Sequence, residues 1–485
     1  MDILLALVVV LLAAFIALGA VLIVRALLLK PTPIVNPLPA SNESGDDKAV
    51  ERFREMLRCE TVWARGDRKP FDDFVPLLKQ LYPLSFSHMD LHLVNTYGIV
   101  LHWHGTDPHA APIVLMAHHD VVDVKADEWT HAPFGAEIAD GRIYARGALD
   151  TKCILACLLE ASQKLLGQGY TPPCDVFIVS GNTEETSGST MPMIVDWFEE
   201  RDIRPRFVID EGGSVLDKVP FGVKCALAAI GVSEKGYADL RITTHSAGGH
   251  ASMPSDNDAT TKLVDGLHNL QHSRTPSRLD PSTVSLAKEL AAHSTFGMRL
   301  LFGNLWLFKP RVLHVLDSSP LTASMTHTTY ALTELEGSPA PNVIPRQASA
   351  TLNIRADMFD DSESALAHIR PCFDDQTTYV WGSVDEPVGP SPCVGENFEY
   401  LRRITDCIYP DIAIAPYMQS SGGDGRQFCR ICDSVYRFAG IMFANDQIAA
   451  MHDNDESLDV SSFKKGVGFY TELIRHLDML TETKA

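Results

Sequence analysis

The sequence predicts an α/β fold in which a mostly parallel mixed sheet, flanked by helices, is interrupted by an inserted α+β unit. Three observations lead to this fold class. Short apolar runs that are typical of buried strands recur along the chain, and segments with helical periodicity separate them. Between residues 238 and 381 the order changes to strand, helix, two strands, helix and strand, which is typical of a compact ferredoxin-like unit. An unbroken apolar stretch over residues 3–24 adds an N-terminal transmembrane helix.

Length and charge limit the function classes. At 485 residues the chain is too long for a single ordinary core, so we expect more than one domain. The formal net charge is −21, from 41 basic and 62 acidic residues, and no stripe of lysine and arginine offers a surface for phosphates. The sequence therefore argues against a nucleic-acid partner.

The N-terminal apolar stretch is long enough to cross a bilayer, which needs roughly 20 such residues. A cleaved signal peptide is the alternative, but it favours basic residues before a shorter apolar core, and only Met1 and Asp2 precede this one. We therefore expect a single-pass anchor that contacts lipid through residues 3–24. Arg25 and Lys30 favour a cytoplasmic remainder only weakly, so the side of the membrane stays open.

The pattern divides the chain into five segments. The second of them is rich in proline, serine and aspartate, which predicts a flexible linker. The segments are the anchor (1–30), the linker (31–48), the first part of a main domain (49–232), an inserted domain (233–390) and the second part of the main domain (391–485).

The elements can be predicted from local patterns. Apolar residues at helical spacing predict helices, and short apolar or alternating runs between turn-forming residues predict strands. In the main domain we expect helices from residue 49 and over 72–81, 151–166, 395–409 and 460–478, and strands over 90–94, 99–103, 113–117, 175–180, 207–209 and 438–442. In the inserted domain we expect strands over 238–244, 325–335, 347–355 and 377–381, helices over 259–272 and 362–372, and an irregular insertion over 275–320.

Polar side chains come directly after the buried run 113–117, in the order His118, His119 and Asp120. Successive side chains on an extended chain point to opposite faces, so His118 and Asp120 share a face and His119 points away. A histidine beside a carboxylate at a strand end suggests a metal ligand oriented by an acid. A salt-bridged histidine is the simpler alternative for an isolated motif of this kind, so the choice depends on the residues at the ends of the other strands.

Acids stand at the ends of two more of the predicted strands. Glu184 and Glu185 come after one of them, and Asp210 comes directly after the next. Sites in such sheets collect at the carboxyl ends of the strands, so we expect these acids to lie near His118. One of two adjacent glutamates could bind a metal ion while its neighbour holds a water as a general base. A solvated acidic turn is the alternative for each cluster taken alone.

Together with R-G-A-L-D at 146–150, G-G-H-A-S-M-P at 248–254 and M-H-D at 451–453, these motifs make the chain resemble a family of co-catalytic di-zinc metallopeptidases. The family includes carboxypeptidase S, bacterial glutamate carboxypeptidase, aminoacylase and succinyl-diaminopimelate desuccinylase. The likeness is closest to the membrane-anchored carboxypeptidase S and N-acyl-amino-acid hydrolase branch, and it covers nearly everything from residue 50 to 480. It implies that the main domain is a zinc-peptidase catalytic domain and that the insert is a lid and dimerisation domain.

The resemblance implies a role for each matching residue. The metal ligands would be His118, Asp150, Glu185, Asp210 and His452, with Asp150 bridging two ions. Three residues would act in catalysis: Glu184 as the general base, Asp120 as the acid that orients His118, and His250 as a lid histidine that polarises the scissile carbonyl. Three would lie at substrate-binding positions: Asn342, Arg355 and Gly423.

The same resemblance implies two Zn²⁺ ions per chain, for which Co²⁺ or Mn²⁺ could substitute, and the histidine and carboxylate ligands suit them without a thiolate. The expected activity is hydrolysis of the amide bond next to a C-terminal free amino acid, as in a carboxypeptidase or dipeptidase, by a metal-activated water. The alternative is an aminoacylase-like N-acyl-amino-acid amidohydrolase, and a remote one is a non-catalytic binding relative. The expected partners are a small peptide or N-acyl-amino-acid substrate and a second copy of the chain, bound through the lid domain.

Overall fold

The computed structural model describes residues 2–219, 222–318 and 320–480. Within these residues the strands are β1 (Asp90–Val94), β2 (Gly98–Trp103), β3 (Ile113–His118), β4 (Glu137–Ala139), β5 (Arg142–Tyr144), β6 (Val176–Gly181), β7 (Phe207–Leu216), β8 (Leu227–Glu234), β9 (Tyr237–His245), β10 (Gly249–His250), β11 (Thr329–Glu336), β12 (Val343–Ile344), β13 (Gln347–Arg355), β14 (Thr378–Asp385), β15 (Ala413–Gln419), β16 (Val435–Phe443) and β17 (Ser457–Asp459). The helices are α1 (Asp2–Leu28), α2 (Asp47–Leu57), α3 (Lys69–Leu81), α4 (Pro83–His88), α5 (Lys152–Gly167), α6 (Thr190–Glu199), α7 (Ala259–His272), α8 (Pro281–Ala292), α9 (Phe296–Phe302), α10 (Leu305–Leu316), α11 (Pro320–Ala323), α12 (Ser362–Ile369), α13 (Glu396–Ile408), α14 (Asn445–Ala449) and α15 (Val460–Arg475).

The largest sheet has eight strands in the order β1-β2-β6-β3-β7-β16-β8-β15. Its centre is parallel, because β3 pairs in parallel with both β6 and β7, and β7 pairs in parallel with β16. Antiparallel pairs at β1 and β2 add one edge. The predicted α/β class with a mostly parallel mixed sheet is confirmed.

Helices cover both faces of this sheet, and this explains the apolar run in β3. All six residues of β3 are buried. Ile113, Leu115 and Ala117 pack in the cluster that also contains residues of α5 and α15, whereas Val114 and Met116 pack in the cluster that contains residues of α6. A strand buried on both faces needs apolar side chains at successive positions, which is the pattern that the sequence shows.

A second sheet of four antiparallel strands has the order β11-β13-β9-β14. Leu263 of α7 and Ile369 of α12 pack against Leu240, Ile242 and Leu352 on one of its faces. These helices and strands make the α+β arrangement that the sequence predicts for the inserted unit.

The segment 275–320 is helical, so the prediction of an irregular insertion was wrong. It contains α8, α9 and α10, which are only 12, 7 and 12 residues long. Ala291, Phe302, Val312 and Leu316 from these helices pack in a small core of their own. Helices this short depend on such packing for their stability, and the packing is not visible in the local pattern.

The apolar N-terminal stretch forms α1, which is long and apolar enough to cross a membrane. The mean hydropathy of its most apolar 18 residues is 3.3, and none of them is buried in the protein. The end of α1 is attached to the body. The Arg25 Nε donates to the Gly303 carbonyl at 3.2 Å, and the Asn304 Nδ2 donates to the Leu22 carbonyl at 3.0 Å.

The segment predicted to be a flexible linker, residues 31–48, lies against the body of the protein instead, and we call it the strap. At its start, Thr32 donates from N and from Oγ1 to the Glu289 carboxylate of α8 at 3.1 and 2.7 Å. Further on, the Glu43 carboxylate pairs with Arg475 of α15 at 3.1 Å. The prediction of a flexible linker was wrong because composition does not reveal partners that lie hundreds of residues away.

Candidate metal centre

The neighbouring strands β6 and β3 end at one edge of the main sheet, and β7, on the other side of β3, stops pairing with β3 after Ile209. His118 is the last residue of β3. Glu184 begins a short 3-10 turn just after β6, and Glu211 lies in β7. The carboxyl ends of parallel strands therefore bring these side chains together, as the sequence predicts for this kind of sheet.

Asp150 lies between two histidines that come from distant parts of the chain. Its Oδ1 is 3.0 Å from the His118 Nε2, and its Oδ2 is 2.8 Å from the His452 Nε2. The Glu185 Oε2 lies 3.2 Å from the His452 Nε2, and the Glu211 Oε1 lies 3.4 Å from the His118 Nε2. The arrangement has two halves that share one carboxylate.

Glu184 lies beside the first half. Its Oε2 is 3.9 Å from the His118 Nε2. Burial raises the pKa of the Glu184 carboxyl well above its usual value, although the charge of His118 opposes the shift. A carboxylate with a raised pKa is better suited to accept a proton than an ordinary surface glutamate.

Asp210, which the sequence predicts to be a metal ligand, has a backbone hydrogen-bond partner. Its Oδ2 accepts a hydrogen bond from the Gly425 N–H at 2.5 Å, so the carboxylate faces the loop after β15. The adjacent Glu211, which the sequence analysis did not select, reaches His118 with a side chain one methylene longer. In the described part of the chain, the groups of atoms that could hold a metal ion include Glu211 and not Asp210. Glu211 is therefore a further candidate ligand, and the role of Asp210 as a ligand stays a prediction.

Asp120 connects the histidine to the glutamate pair. Its backbone carbonyl lies 2.9 Å from the His118 Nδ1, and its carboxylate accepts the backbone N–H groups of Glu184 at 3.2 Å and Glu185 at 3.1 Å. The contact at Nδ1 leaves the His118 Nε2 directed at Asp150, and the two N–H bonds fix the turn that carries the glutamates. The Asp120 Oδ1 lies 3.5 Å from the His118 Nδ1, so the predicted role of this carboxylate in orienting His118 stays a prediction.

His119 points away from the centre, as strand alternation predicts. Its ring stacks on Phe74 with the centroids 4.9 Å apart, and its Nδ1 lies 2.8 Å from the Ser180 Oγ. Burial lowers the pKa of His119 to about 3, so the ring is neutral. It is a core histidine with a satisfied hydrogen bond.

A buried ion pair that the sequence analysis missed supports the loop before α5. The Glu456 carboxylate accepts the backbone N–H groups of Leu149 at 2.7 Å and Asp150 at 3.1 Å, and it pairs with the Arg146 Nη1 at 2.7 Å. Glu456 thus determines where Asp150 is held without touching the cluster. The signal available was the run of acids after His452, but nothing in that run shows which acid is buried.

The residues predicted for the lid lie outside the cluster. His250 in β10 pairs with β12, the Asn342 carbonyl next to β12 accepts from the Ala251 N–H at 3.1 Å, and His250 is exposed. Arg355 lies at the end of β13 over the ring of Tyr237 at 4.6 Å. In the described residues, none of His250, Asn342 and Arg355 has a hydrogen bond or ion pair to the cluster.

Gly423, the third residue predicted to contact the substrate, lies in the loop after β15. A Cβ built on it would be 3.5 Å from the Asp210 Oδ2. The predicted pocket-lining glycine therefore neighbours the cluster through Asp210, and the tighter approach belongs to Gly425, where a Cβ would be 2.7 Å from the same oxygen.

The donor set fits divalent metal ions. Ligand atoms of His118, Asp150 and Glu185 lie within 4.8 Å of one another, as do those of His118, Glu184 and Glu211. The Glu185 Oε1 is buried and has no hydrogen-bond partner in the described residues, as expected for an oxygen that serves a cation. So many buried carboxylates around two histidines need added positive charge, which metal ions supply.

The carboxylates around both histidines favour their protonated forms. Burial acts to lower the pKa of His118, but the charge of Glu211 and the bonds to Asp120 and Asp150 raise it well above its usual value. Hydrogen bonds to Asp150 and Glu185 raise the pKa of His452 to about 10. These protons occupy the nitrogen atoms that a metal ion would use.

An α/β fold with a cluster of histidines and carboxylates at the ends of its central strands is typical of metal-dependent hydrolases. The chain belongs to the peptidase family M20/M25/M40, whose sequence model matches residues 114–476. The resemblance drawn from the motifs is therefore confirmed, and the chain is a hydrolase of a metallopeptidase family.

Named relatives agree with this assignment. The probable carboxypeptidase S-like 2 of Dictyostelium discoideum is 30% identical over 446 residues, which cover 89% of this chain and 86% of that protein. The human N-fatty-acyl-amino acid synthase/hydrolase PM20D1 is 30% identical over 413 residues, which cover 84% and 82%. The crystal structure of the M20 family metallo-carboxypeptidase Sso-CP2 from Sulfolobus solfataricus superposes with a TM-score of 0.65 at 17% identity, covering 89% of this chain and 99% of that one, and shows the shared fold.

Proposed function

We propose that the chain hydrolyses the amide bond that precedes a free C-terminal amino acid, as a carboxypeptidase or dipeptidase does. The observation that carries the proposal is Asp150, whose two oxygens face His118 and His452 while Glu184 lies beside them. The His452 side chain is 50% exposed, so a substrate in solution can reach this side of the centre.

We propose two Zn²⁺ ions as the cofactors, for which Co²⁺ or Mn²⁺ could substitute. His118 and Asp150, together with Asp210 or the adjacent Glu211, would hold one ion, and Asp150, Glu185 and His452 would hold the other. Imidazole and carboxylate ligands without a thiolate suit these metals. When bound, the ions would polarise the scissile carbonyl and acidify a water toward a pKa of ~7.

Glu184 would act as the general base. In this role its carboxylate takes the proton of the attacking water and passes it to the nitrogen of the leaving amine. Its buried position and raised pKa support that role, because a carboxyl with a pKa nearer neutrality both accepts and returns a proton readily. Asp120 would keep Glu184 and His118 in fixed positions relative to each other through the hydrogen bonds described above.

We propose that residues 233–390 form a lid, and that closure or a second copy of the chain brings His250 and Asn342 to the substrate. The exposed β10-β12 pair supports this, since its side chains have no partner in the cluster. The planar guanidinium of Arg355 would bind a substrate carboxylate through both oxygens.

A homodimer would form through the outer edge of the lid sheet. Leu332 and Leu335 on the edge strand β11 are 50% and 60% exposed, and exposed apolar edge strands favour pairing with another chain. Light scattering of the purified chain at micromolar concentration tests this, and a monomeric mass would refute the dimer.

The second candidate function is hydrolysis of N-acyl-amino acids. Its specific support is the 30% identity to the N-fatty-acyl-amino acid synthase/hydrolase PM20D1 over 84% of this chain. Both substrate classes present the same bond, an amide next to a free amino acid carboxylate, and they differ only in the group on the other side of the carbonyl.

We also propose that α1 anchors the chain in a membrane as a single span. The high hydropathy of α1 and the attachment of its last turn to the body support this. Flotation of the full chain with vesicles after a carbonate wash tests the anchor, and a chain that is released by the wash would refute it.

The substrate experiment measures amino acid release by the full chain in detergent from a panel of dipeptides and N-acyl-amino acids, with and without a chelator. Chelator-sensitive release from dipeptides supports the first candidate function, and release confined to N-acyl-amino acids supports the second. No chelator-sensitive release from either class would refute both.

A further inference from the structure

The end of α1 and the helices α8–α10 enclose a groove of about 330 Å³, which we call the anchor groove. Its walls include the apolar residues Phe302, Leu305 and Trp306 and the basic residues Arg25, Lys288 and Lys309. We propose that the anchor groove binds an anionic phospholipid of the bilayer that α1 enters. The proposal rests on the membrane anchor proposed above and is independent of the hydrolase activity.

The position of Arg25 places the groove at the depth of lipid head groups. Arg25 is the first charged residue after the apolar residues 3–24, a length that fills the hydrocarbon core of a bilayer. Its Nε donates to the Gly303 carbonyl, and the Asn304 side chain donates to the Leu22 carbonyl. These bonds hold the junction of α9 and α10 at the level where the membrane-spanning segment ends.

The charge around the groove is opposite to that of the whole chain. Residues 281–316 contain four basic residues and one acidic residue, although the chain as a whole carries −21. The acidic residue, Glu289, is already bonded to Thr32 and His293. Among the described residues, Arg25, Lys288 and Lys309 form no ion pair. Three unpaired cations beside an apolar wall match a phosphate joined to acyl chains.

Apolar side chains continue outward from the groove. Phe296, Trp306 and Leu307 are 45%, 58% and 39% exposed. Aromatic residues with one polar edge, such as tryptophan, concentrate at the boundary between head groups and acyl chains. The acyl chains of a lipid held at Lys288 and Lys309 would cover these side chains.

The strap helps to keep the surface formed by α8–α10 on the side of the protein that faces the membrane. Thr32 lies a few residues after α1 and is bonded to Glu289 of α8 through N and Oγ1. Arg402 of α13 donates to the carbonyl groups of Thr32 and Pro33 at 2.7 and 3.1 Å. The body therefore cannot turn freely about the anchor, and α8–α10 stay next to the bilayer.

The experiment uses the full chain in phosphatidylcholine bilayers, with Trp306 fluorescence as the readout. Phosphatidylserine brominated on its acyl chains is added in increasing mole fraction, because bromine quenches a tryptophan that it contacts. The Trp306→Phe chain supplies the signal of the other five tryptophans for subtraction. We expect half-quenching at about a tenfold lower mole fraction than with brominated phosphatidylcholine.

Two double variants distinguish lipid binding in the anchor groove from attraction by positive charge elsewhere on the surface. Lys288→Ala with Lys309→Ala should remove the preference for phosphatidylserine, while the exposed pair Lys79→Ala with Lys125→Ala should retain it. Circular dichroism and thermal unfolding in detergent show whether each variant is folded, so this control does not depend on the proposed hydrolysis.

Three outcomes would overturn the proposal. The first is equal quenching by the two brominated lipids, and the second is an unchanged preference in Lys288→Ala with Lys309→Ala. The third is loss of the preference when inorganic phosphate is added at constant ionic strength, which would indicate a soluble phosphate site. A chain that fails to float with vesicles would instead refute the anchor on which the proposal rests, and hydrolysis in detergent would still report on the proposed function.

Discussion

At the scale of single residues, Glu184 carries the proton transfer in the proposed reaction. Replacement by Gln keeps the shape of the side chain and removes its ability to accept a proton. We expect Glu184→Gln to lower kcat by about a thousandfold, because general-base catalysis typically contributes 10²–10⁴. Bound metal should remain at the level of the unmodified chain, as measured by elemental analysis beside the rate.

Glu51→Gln is the matched control for this change. Glu51 is exposed on α2 and pairs only with the neighbouring Arg54 at 2.8 Å, so the rate should not change. A Glu184→Gln chain that retains most of its rate would exclude Glu184 as the base. A chain that loses its metal would show that Glu184 acts as a ligand.

Glu456 is a positioning residue whose effect should appear in metal binding. Its carboxylate holds the backbone of Leu149 and Asp150, so Glu456→Gln should weaken metal affinity by roughly 10–100-fold, as changes to residues behind metal ligands do. It should also destabilise the fold by about 3 kcal/mol, because Arg146 is left buried without its charge partner. Chelator competition measures the first effect, and denaturant unfolding the second.

Glu160→Gln controls for the loss of a buried ion pair as such. Glu160 pairs with Arg52 at 2.5 Å and is buried, but it lies away from the loop that carries Asp150. We expect lower stability and unchanged metal affinity. If both variants weakened metal binding equally, the positioning role of Glu456 would be wrong.

The sequence distinguishes the two adjacent histidines of the candidate site, but it does not distinguish the two adjacent acids, Asp210 and Glu211. The motifs and the strand alternation selected His118 over His119, and the hydrogen bonds of both rings agree with that choice. In the pair Asp210 and Glu211, both come after the same apolar run, and the motif favoured the first. The contact that distinguishes Asp210 from Glu211, a hydrogen bond from the Gly425 N–H, comes from a loop 215 residues away.

At the scale of elements, the strap is held by a few polar contacts that mutation can release. Glu43→Ala with Glu289→Ala removes the carboxylates that bind Arg475 and Thr32. We expect faster proteolytic cleavage within residues 31–48, because local opening of this segment then costs less free energy. Limited proteolysis with mass spectrometry of the fragments measures the rate.

A pair of surface changes provides the comparison for the strap. Glu51→Ala with Glu55→Ala removes the exposed ion pairs that these two residues of α2 form with Arg54 and Arg58. The strap contacts stay in place. Cleavage within residues 31–48 should not change. Equal cleavage of both double variants would mean that the carboxylates of Glu43 and Glu289 do not hold the strap.

The elements that could be predicted are those whose local pattern is decisive. The buried strand β3 and the long amphipathic helix α15 are visible in the sequence because each shows a strong and continuous apolar pattern. The helices α8–α10 could not be predicted in the same way, since they are short and their apolar residues pack on one another and on the end of α1. Tertiary packing, rather than propensity, decides such segments.

At the scale of the whole molecule, protons and metal ions compete for the same nitrogen atoms. In the metal-free chain the pKa of His452 is raised to about 10 from the usual 6.5 of a histidine. Metal affinity should therefore rise with pH, by about tenfold per pH unit for each proton displaced, up to about pH 10. Competition with a chelator of known affinity at several pH values measures the slope.

Stability of the metal-free chain should show the opposite trend. A histidine with a raised pKa in the folded state stabilises the fold fully below its unfolded pKa of about 6.5, and that contribution is lost as the pH rises toward 10. The unfolding temperature in the presence of a chelator should fall across this range. In His452→Gln the fall should be smaller, and an identical fall would show that other groups cause it.

The metal cluster as a whole could be predicted from the sequence for a simple reason. Each ligand comes after a strand or lies in a short motif, and parallel strands bring their carboxyl ends to one edge. The supporting contacts were not accessible, because Glu456, the strap and the groove at α1 depend on pairs of residues hundreds of positions apart. Long-range polar contacts leave no periodic signal in the residues that make them.

The late position of His452 and Glu456 has a consequence for biosynthesis. Asp150 is paired with His452 and held by Glu456, and these residues follow it by 302 and 306 positions, so they are synthesised long after it. A nascent chain that has already inserted α1 but still lacks His452 and Glu456 should therefore be inactive. We also expect products of a ribosome that stalls before residue 452 to lack hydrolase activity, because they lack one of the two histidines of the cluster.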